Sequence, residues 1–188
     1  MKSNKRNISI SISFFIVILS LEILPSTMLS KFGFTNISLL PEVFAESGND
    51  YFQKATIAVG KKDYENAIFY GEKGIKYYRK MKKTKEPKFI GLLTLVGLAK
   101  MESGNFQGAI ENFEESILFS PDSYGYSLLG MAKEKAKDFK GAIEAFTKSI
   151  EAYKGNDKRM KLDGFTRRGY ARFQNGDHKG AIDDYSEA

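Results

Sequence analysis

His178 is the only histidine in this 188-residue chain. A lone imidazole lacks the base–nucleophile geometry that catalysis requires. Three similar stretches place Tyr64, Phe106 and Phe139 where His178 stands, so it reads as a ring packed in a turn. Asp183-Asp184 is a carboxylate pair. Neighbours on a helix point in different directions, so the pair reads as a solvated face. No Gly-rich loop ends in Lys-Ser or Lys-Thr, which leaves a phosphate cradle unsupported. The chain has no cysteine, hence no disulfide framework and no thiolate metal site. These residues give no catalytic, cofactor or metal constellation, and the chain reads as something other than an enzyme.

The run Lys76-Tyr77-Tyr78-Arg79-Lys80-Met81-Lys82-Lys83-Thr84-Lys85 is the densest charge in the sequence. It could touch phosphates or anionic lipid headgroups. It also fits a solvated helix end, where Lys and Arg complement the helix dipole, with Pro87 stopping that helix soon after. The formal net charge is +6. The first 45 residues hold +2 of it and the rest +4, too mild to imply a nucleic-acid partner.

The elements that would position these residues repeat. Gly104-Asn105-Phe106-Gln107-Gly108-Ala109-Ile110-Glu111-Asn112-Phe113, running on to Pro121, reads as a turn, an amphipathic helix and a stop. Similar stretches open at Asp63-Tyr64, Asp138-Phe139 and Gly176-Asp177. The alanines Ala67, Ala109, Ala142 and Ala181 are spaced by 42, 33 and 39 residues. Self-similarity at a few tens of residues points to stacked helical units. The excess lengths fall around Arg79 to Pro87 and Gly155 to Met160, where turn or charge clusters lie.

Leu93, Val96-Gly97, Ala109, Phe113 and Pro121 follow a pattern of large, apolar-glycine, alanine, aromatic and proline. Tyr126, Leu129-Gly130, Ala142 and Phe146 repeat it, as do Phe165, Gly169, Ala181 and Tyr185, and in part Tyr51, Ala55 and Ala67. On these residues the chain resembles the tetratricopeptide repeat family, whose unit is about 34 residues of helix–turn–helix. The resemblance implies an all-α, right-handed solenoid of antiparallel helix pairs over residues 46–188. Its copies span about 48–81, 90–122, 123–156 and 162–188, the last truncated at Ala188. Gly97, Gly130 and Gly169 would let backbones approach, and Phe113, Phe146 and Tyr185, four residues after their alanines, would fill the space between units.

Departures are expected to matter. Gly71 and Gly74 stand in the second helix of the first copy, where the pattern asks for an aromatic and a small residue. That copy should be the weakest, since an interior Gly costs about 1 kcal/mol against Ala. Lys54 and Arg168 replace apolar residues, with stems that pack and charges that reach water. Ile182 and Tyr185 would be left partly bare.

Each first helix carries a second stripe at i, i+4 and i+7: Phe52, Thr56 and Val59; Thr94, Leu98 and Met101; Ser127, Met131 and Glu134; Thr166, Tyr170 and Phe173. In the solenoid that the resemblance implies, these line a concave groove or pack between first helices. As a groove they would hold a semi-apolar peptide or protein segment, with Arg167 beside Thr166 placed to meet an acidic group. The family's carboxylate clamp for chaperone tails is absent, because its Lys and Asn places hold Phe52 and Thr56. The function expected is therefore a protein-interaction module. The alternative is an assembly factor that self-associates through its last repeat.

Lys2, Lys5 and Arg6 precede the charge-free run Asn7 to Leu21, which Glu22 closes. That is a basic n-region and a short apolar h-region, and it is shorter than the ~20 residues of a spanning helix. Val43-Phe44-Ala45 offers a cleavage point before Glu46. Residues 1–45 are thus expected to be an export signal, with an uncleaved membrane anchor as the alternative. The repeat domain would then be exported to a periplasm, lumen or the exterior.

Overall fold

The computed structural model describes residues 46–155 and 158–188, the last from 161 on with their side chains. The expected export or anchor segment, residues 1–45, lies outside the described residues. Among the described residues there are eight α-helices and no strand. They are α1 (Gly48–Gly60), α2 (Tyr64–Lys80), α3 (Pro87–Glu102), α4 (Phe106–Phe119), α5 (Ser123–Lys135), α6 (Phe139–Ala152), α7 (Lys158–Gln174) and α8 (His178–Glu187). Each packs on the next in sequence, and α1, α3 and α5 lie side by side. The result is an all-α solenoid of antiparallel pairs.

One local device makes all four intra-pair turns. Lys62, Gly104, Lys137 and Gly176 each take positive φ, at 58°, 86°, 62° and 85°. This left-handed residue ends the first helix and frees the next residue to cap the second. Asp63, Asn105, Asp138 and Asp177 are those caps. Their side-chain oxygens accept from the backbone N–H three residues on, at 3.2, 2.9, 2.9 and 2.9 Å, satisfying a donor that the helix start leaves free. The glycine of the recurring Gly-Ala-Ile fits closely under this cap. A Cβ on Gly108, Gly141 or Gly180 would run into the capping side chain. In the first copy Asn66 stands there and donates its own amide to Asp63 at 2.7 Å.

Small residues then set the helix spacing. A Cβ on Gly97 would lie 2.6 Å from the Phe113 ring, and one on Gly130 2.6 Å from the Phe146 ring. Phe113 and Phe146 are buried against them. Ala109 and Ala142 are fully buried on the same helices as those rings.

The first copy reaches the same density another way. The aromatic missing at Gly71 is replaced from the following pair: a Cβ there would collide with Val96, and one on Gly74 would lie 2.6 Å from Leu92. Val96 and Leu92 are fully buried, in a cluster with Ile75, Tyr78, Phe89 and Leu93. Gly71 and Gly74 are therefore close-approach sites, and their packing offsets their helix cost. Gly71→Ala should lower stability by roughly 1–2 kcal/mol, because overpacking a rigid β-branched neighbour outweighs the gain in propensity. Gly60, with nothing near its Cβ direction, should accept Ala without loss. Urea titrations of both variants check this, and a stabilised Gly71→Ala would overturn the packing account.

Pro87 opens α3 rather than only closing α2, which ends at Lys80. Proline suits the first helical position, where its missing N–H is not needed. The second copy's helices thus begin three residues before the boundary expected at 90. In the last copy α7 starts at Lys158, ahead of 162.

Candidate functional site

The stripes of the first helices are shared unevenly between packing and surface. On α1, Phe52 is half-buried, its ring over the α3 backbone at Gly91. With Gln53, Thr56 and Ile57 it lines a shallow hollow. The Thr56 hydroxyl donates to the Phe52 carbonyl at 2.8 Å. Val59 packs on the alanine cluster of Ala58, Ala67 and Ala99.

On α3 the expected stripe is corrected. Met101 is buried, 3% exposed, in the cluster of Phe113, Leu128 and Leu129, so it belongs to the core. The Thr94 hydroxyl is 3.1 Å from the Ile90 carbonyl and 3.2 Å from Ser116 Oγ on α4. It faces its own partner helix, because α4 offers the buried Ser116 at that level. Leu98 is half-buried against the same cluster as Met101.

On α5, Ser127 and Glu134 are half-buried. Met131 packs on two clusters, the one that holds Phe113 and the one that holds Phe146. Burial raises the Glu134 carboxyl above its usual range, against the attraction of Arg167 and Lys135. Arg167 on α7 is already engaged. Its Nε donates to both Asp163 oxygens, at 3.0 and 2.9 Å. An acidic ligand would have to compete with Asp163 for it.

α7 presents the accessible part. Thr166 is exposed, with its hydroxyl bonded to the Leu162 carbonyl at 2.8 Å. Tyr170 and Phe173 are 43% and 52% exposed. Sequence reasoning missed Leu162, an exposed side chain one turn before Thr166. The i, i+4 spacing that found Tyr170 extends back to it. It also missed Ile57 on α1, beside Thr56.

Two charged readings change. Asp184 is not on a solvated face. It is 2% exposed and accepts from Arg168 Nε at 2.9 Å and Nη2 at 2.6 Å. Arg172 Nη1 lies 3.0 Å from Asp184 Oδ2, the oxygen that also accepts from Arg168 Nε. Arg168 therefore does not send its charge to water, and its Nη1 also meets Thr147 at 3.2 Å. Asp183, the next residue, is exposed. Lys54 behaves as expected, its partly exposed ammonium paired with Glu46. The exposed His178 ring lies 5.2 Å from the Phe173 ring. Ile182 and Tyr185 are 66% and 46% exposed. Among the described residues no three His, Cys, Asp or Glu side chains gather as metal ligands. None of the described helices is long and apolar enough to cross a membrane.

The tetratricopeptide repeat family model matches residues 51–81 and 124–156, within the first and third copies. Several solved structures share the architecture. MamA from Desulfovibrio magneticus RS-1, from its residue 41 to the end, is 19% identical over 75% of this chain and 73% of that one, with a TM-score of 0.63. A crystal structure of MamA is 16% identical over 80% of this chain and 81% of that one, at 0.66. The nearly identical TPR-like repeats assigned to a kinesin light chain of Podosopora anserina are 13% identical over 79% and 78%, at 0.66. At these identities the likeness is one of fold. No curated protein sequence matches the chain.

Proposed function

We propose that this chain, a tetratricopeptide repeat protein, is a non-catalytic interaction module that holds a semi-apolar peptide or protein segment along its first helices. One observation carries the reading. Leu98, Met131 and Tyr170 each follow the close-approach glycine of their helix, Gly97, Gly130 and Gly169. They therefore occupy one register on α3, α5 and α7. Leu98 and Met131 are half-buried and Tyr170 is exposed. Leu98 and Met131 keep some surface while packed on the core beneath them, and contacts anchored in this way are ordered at little further entropic cost on binding. Methionine adds an adaptable apolar contact.

The accessible end of the row is where a fold-neutral test is possible, since acidic substitutions at Leu98 or Met131 would disturb the clusters below them. A random peptide library selected against the full chain supplies the ligand. Thr166→Glu with Tyr170→Glu should weaken the selected peptide about thirtyfold, the effect of losing one anchoring contact. Ile182→Asp with Tyr185→Asp should leave it unchanged. The exposed Ile182 and Tyr185 favour a second reading, self-association through the last pair. If the α8 variant loses the peptide and the α7 variant keeps it, the groove reading falls and the terminal-face reading replaces it.

A further inference from the structure

The net charge of the chain is local. Residues 76–88 hold seven Lys and Arg against Glu86 alone, a net +6, which equals the formal net charge of all 188 residues. The helix dipole accounts for only part of this. Arg79 and Lys80 lie in the last turn of α2, where a cation is favoured, but the effect fades beyond that turn. Lys82, Lys83 and Lys85 lie past it, in the α2–α3 loop. Arg79 is held by Glu115 on α4 at 2.6 and 2.7 Å. Among the described residues Lys76, Lys80, Lys82, Lys83 and Lys85 have no carboxylate partner, and all five are exposed.

The loop sits on one edge of the solenoid, and other chain segments meet there. Gly48 at the start of α1 lies against Tyr77 and Tyr78 at the end of α2. Lys88 at the start of α3 donates to Asn49. Phe89 meets Phe119 at the end of α4, with ring centroids 5.4 Å apart. Gly125 at the start of α5 approaches Ile117 on α4. This edge also leaves apolar side chains in water: Met81 at 48% exposure, Leu118 at 81%, Phe119 at 39% and Tyr124 at 54%. Unpaired lysines beside protruding apolar residues fit a surface that is negatively charged outside and apolar a few ångströms deeper. An anionic bilayer is such a surface.

We infer that the edge carrying the α2–α3 loop, the end of α4 and the start of α5 docks on anionic lipid headgroups. The lysines meet the phosphates, and Leu118 and Tyr124 enter the interface. The inference is independent of the groove reading, since it uses none of the groove residues.

The test is co-sedimentation of the full chain with vesicles of phosphatidylcholine alone or mixed with phosphatidylserine. The wild-type chain should partition about a hundredfold more strongly onto the mixed vesicles, and molar salt should abolish that difference. The variant Lys76→Ala/Lys80→Ala/Lys83→Ala/Lys85→Ala should lose the preference with unchanged helicity. It leaves Lys82 in place, so that the residue turning the loop at a φ of 55° is untouched. Leu118→Ser, at a side chain that packs on little, should weaken binding to the mixed vesicles severalfold. Equal partition of wild-type chain onto both vesicle types overturns the inference. So does retention of the preference by the lysine variant. If wild-type chain ignores the vesicles but is retained on immobilised polyglutamate through these lysines, the edge serves an acidic protein and the lipid reading falls.

Discussion

Phe146→Ala is expected to lower the unfolding free energy by ~3–5 kcal/mol, the range for deleting a buried aromatic. Phe146 is fully buried, in a cluster with Ala142 and Ala171, and joins the third pair to the fourth. Its ring faces Gly130, which has no side chain to move into the space, and its other neighbours include alanines. The cavity would therefore stay open, and an unrelaxed cavity makes the loss large. Phe52→Ala removes the same side chain from a half-buried place and should cost much less. Urea unfolding followed by circular dichroism compares the two. Equal losses would mean that the division into core and groove faces is wrong.

The second large effect is electrostatic. Asp184→Ala should cost ~3–5 kcal/mol, as expected when one member of a buried ion pair is removed and the other is stranded. Arg168, with a side chain 13% exposed, loses both short bonds, and Arg172 loses one. Asp183→Ala, at the exposed neighbour, should fall within about 0.5 kcal/mol of wild type. Arg168→Met combined with Asp184→Ala should recover much of the loss, because the one cation left there, Arg172, keeps Asp177 at 3.7 Å and the Gly180 carbonyl at 3.1 Å. Indistinguishable melting curves for the Asp183 and Asp184 variants would refute the assignment.

The repeating frame was legible because each repeated residue type has one dominant reason to be there. Glycine and alanine allow close approach, an aromatic fills the gap, and Asn or Asp caps the turn. What escaped were the places where two departures compensate each other. Arg168 looked like a charge on an apolar face and Asp184 like half of a solvated pair. Only the packing of α7 on α8 brings them together across sixteen positions. Gly71 looked like a missing aromatic, because the Val96 that fills its place comes from the next pair. The stripe of Thr94 and Met101 failed for a related reason. Helical spacing places residues on a face, but whether that face meets solvent depends on neighbours far along the chain. On α7 the same spacing found exposed residues, Thr166, Tyr170 and Phe173.

The four turns share a backbone shape but not a stiffness. At Gly104 and Gly176 the left-handed residue has no Cβ, and wide ranges of φ and ψ are open to it. At Lys62 and Lys137 a full side chain occupies the same region, whose allowed well is narrow. Taken along the chain, the joints alternate: rigid in the first pair, compliant in the second, rigid in the third, compliant in the fourth. Gly104 and Gly176 can thus shift their backbone without leaving allowed space, whereas Lys62 and Lys137 cannot.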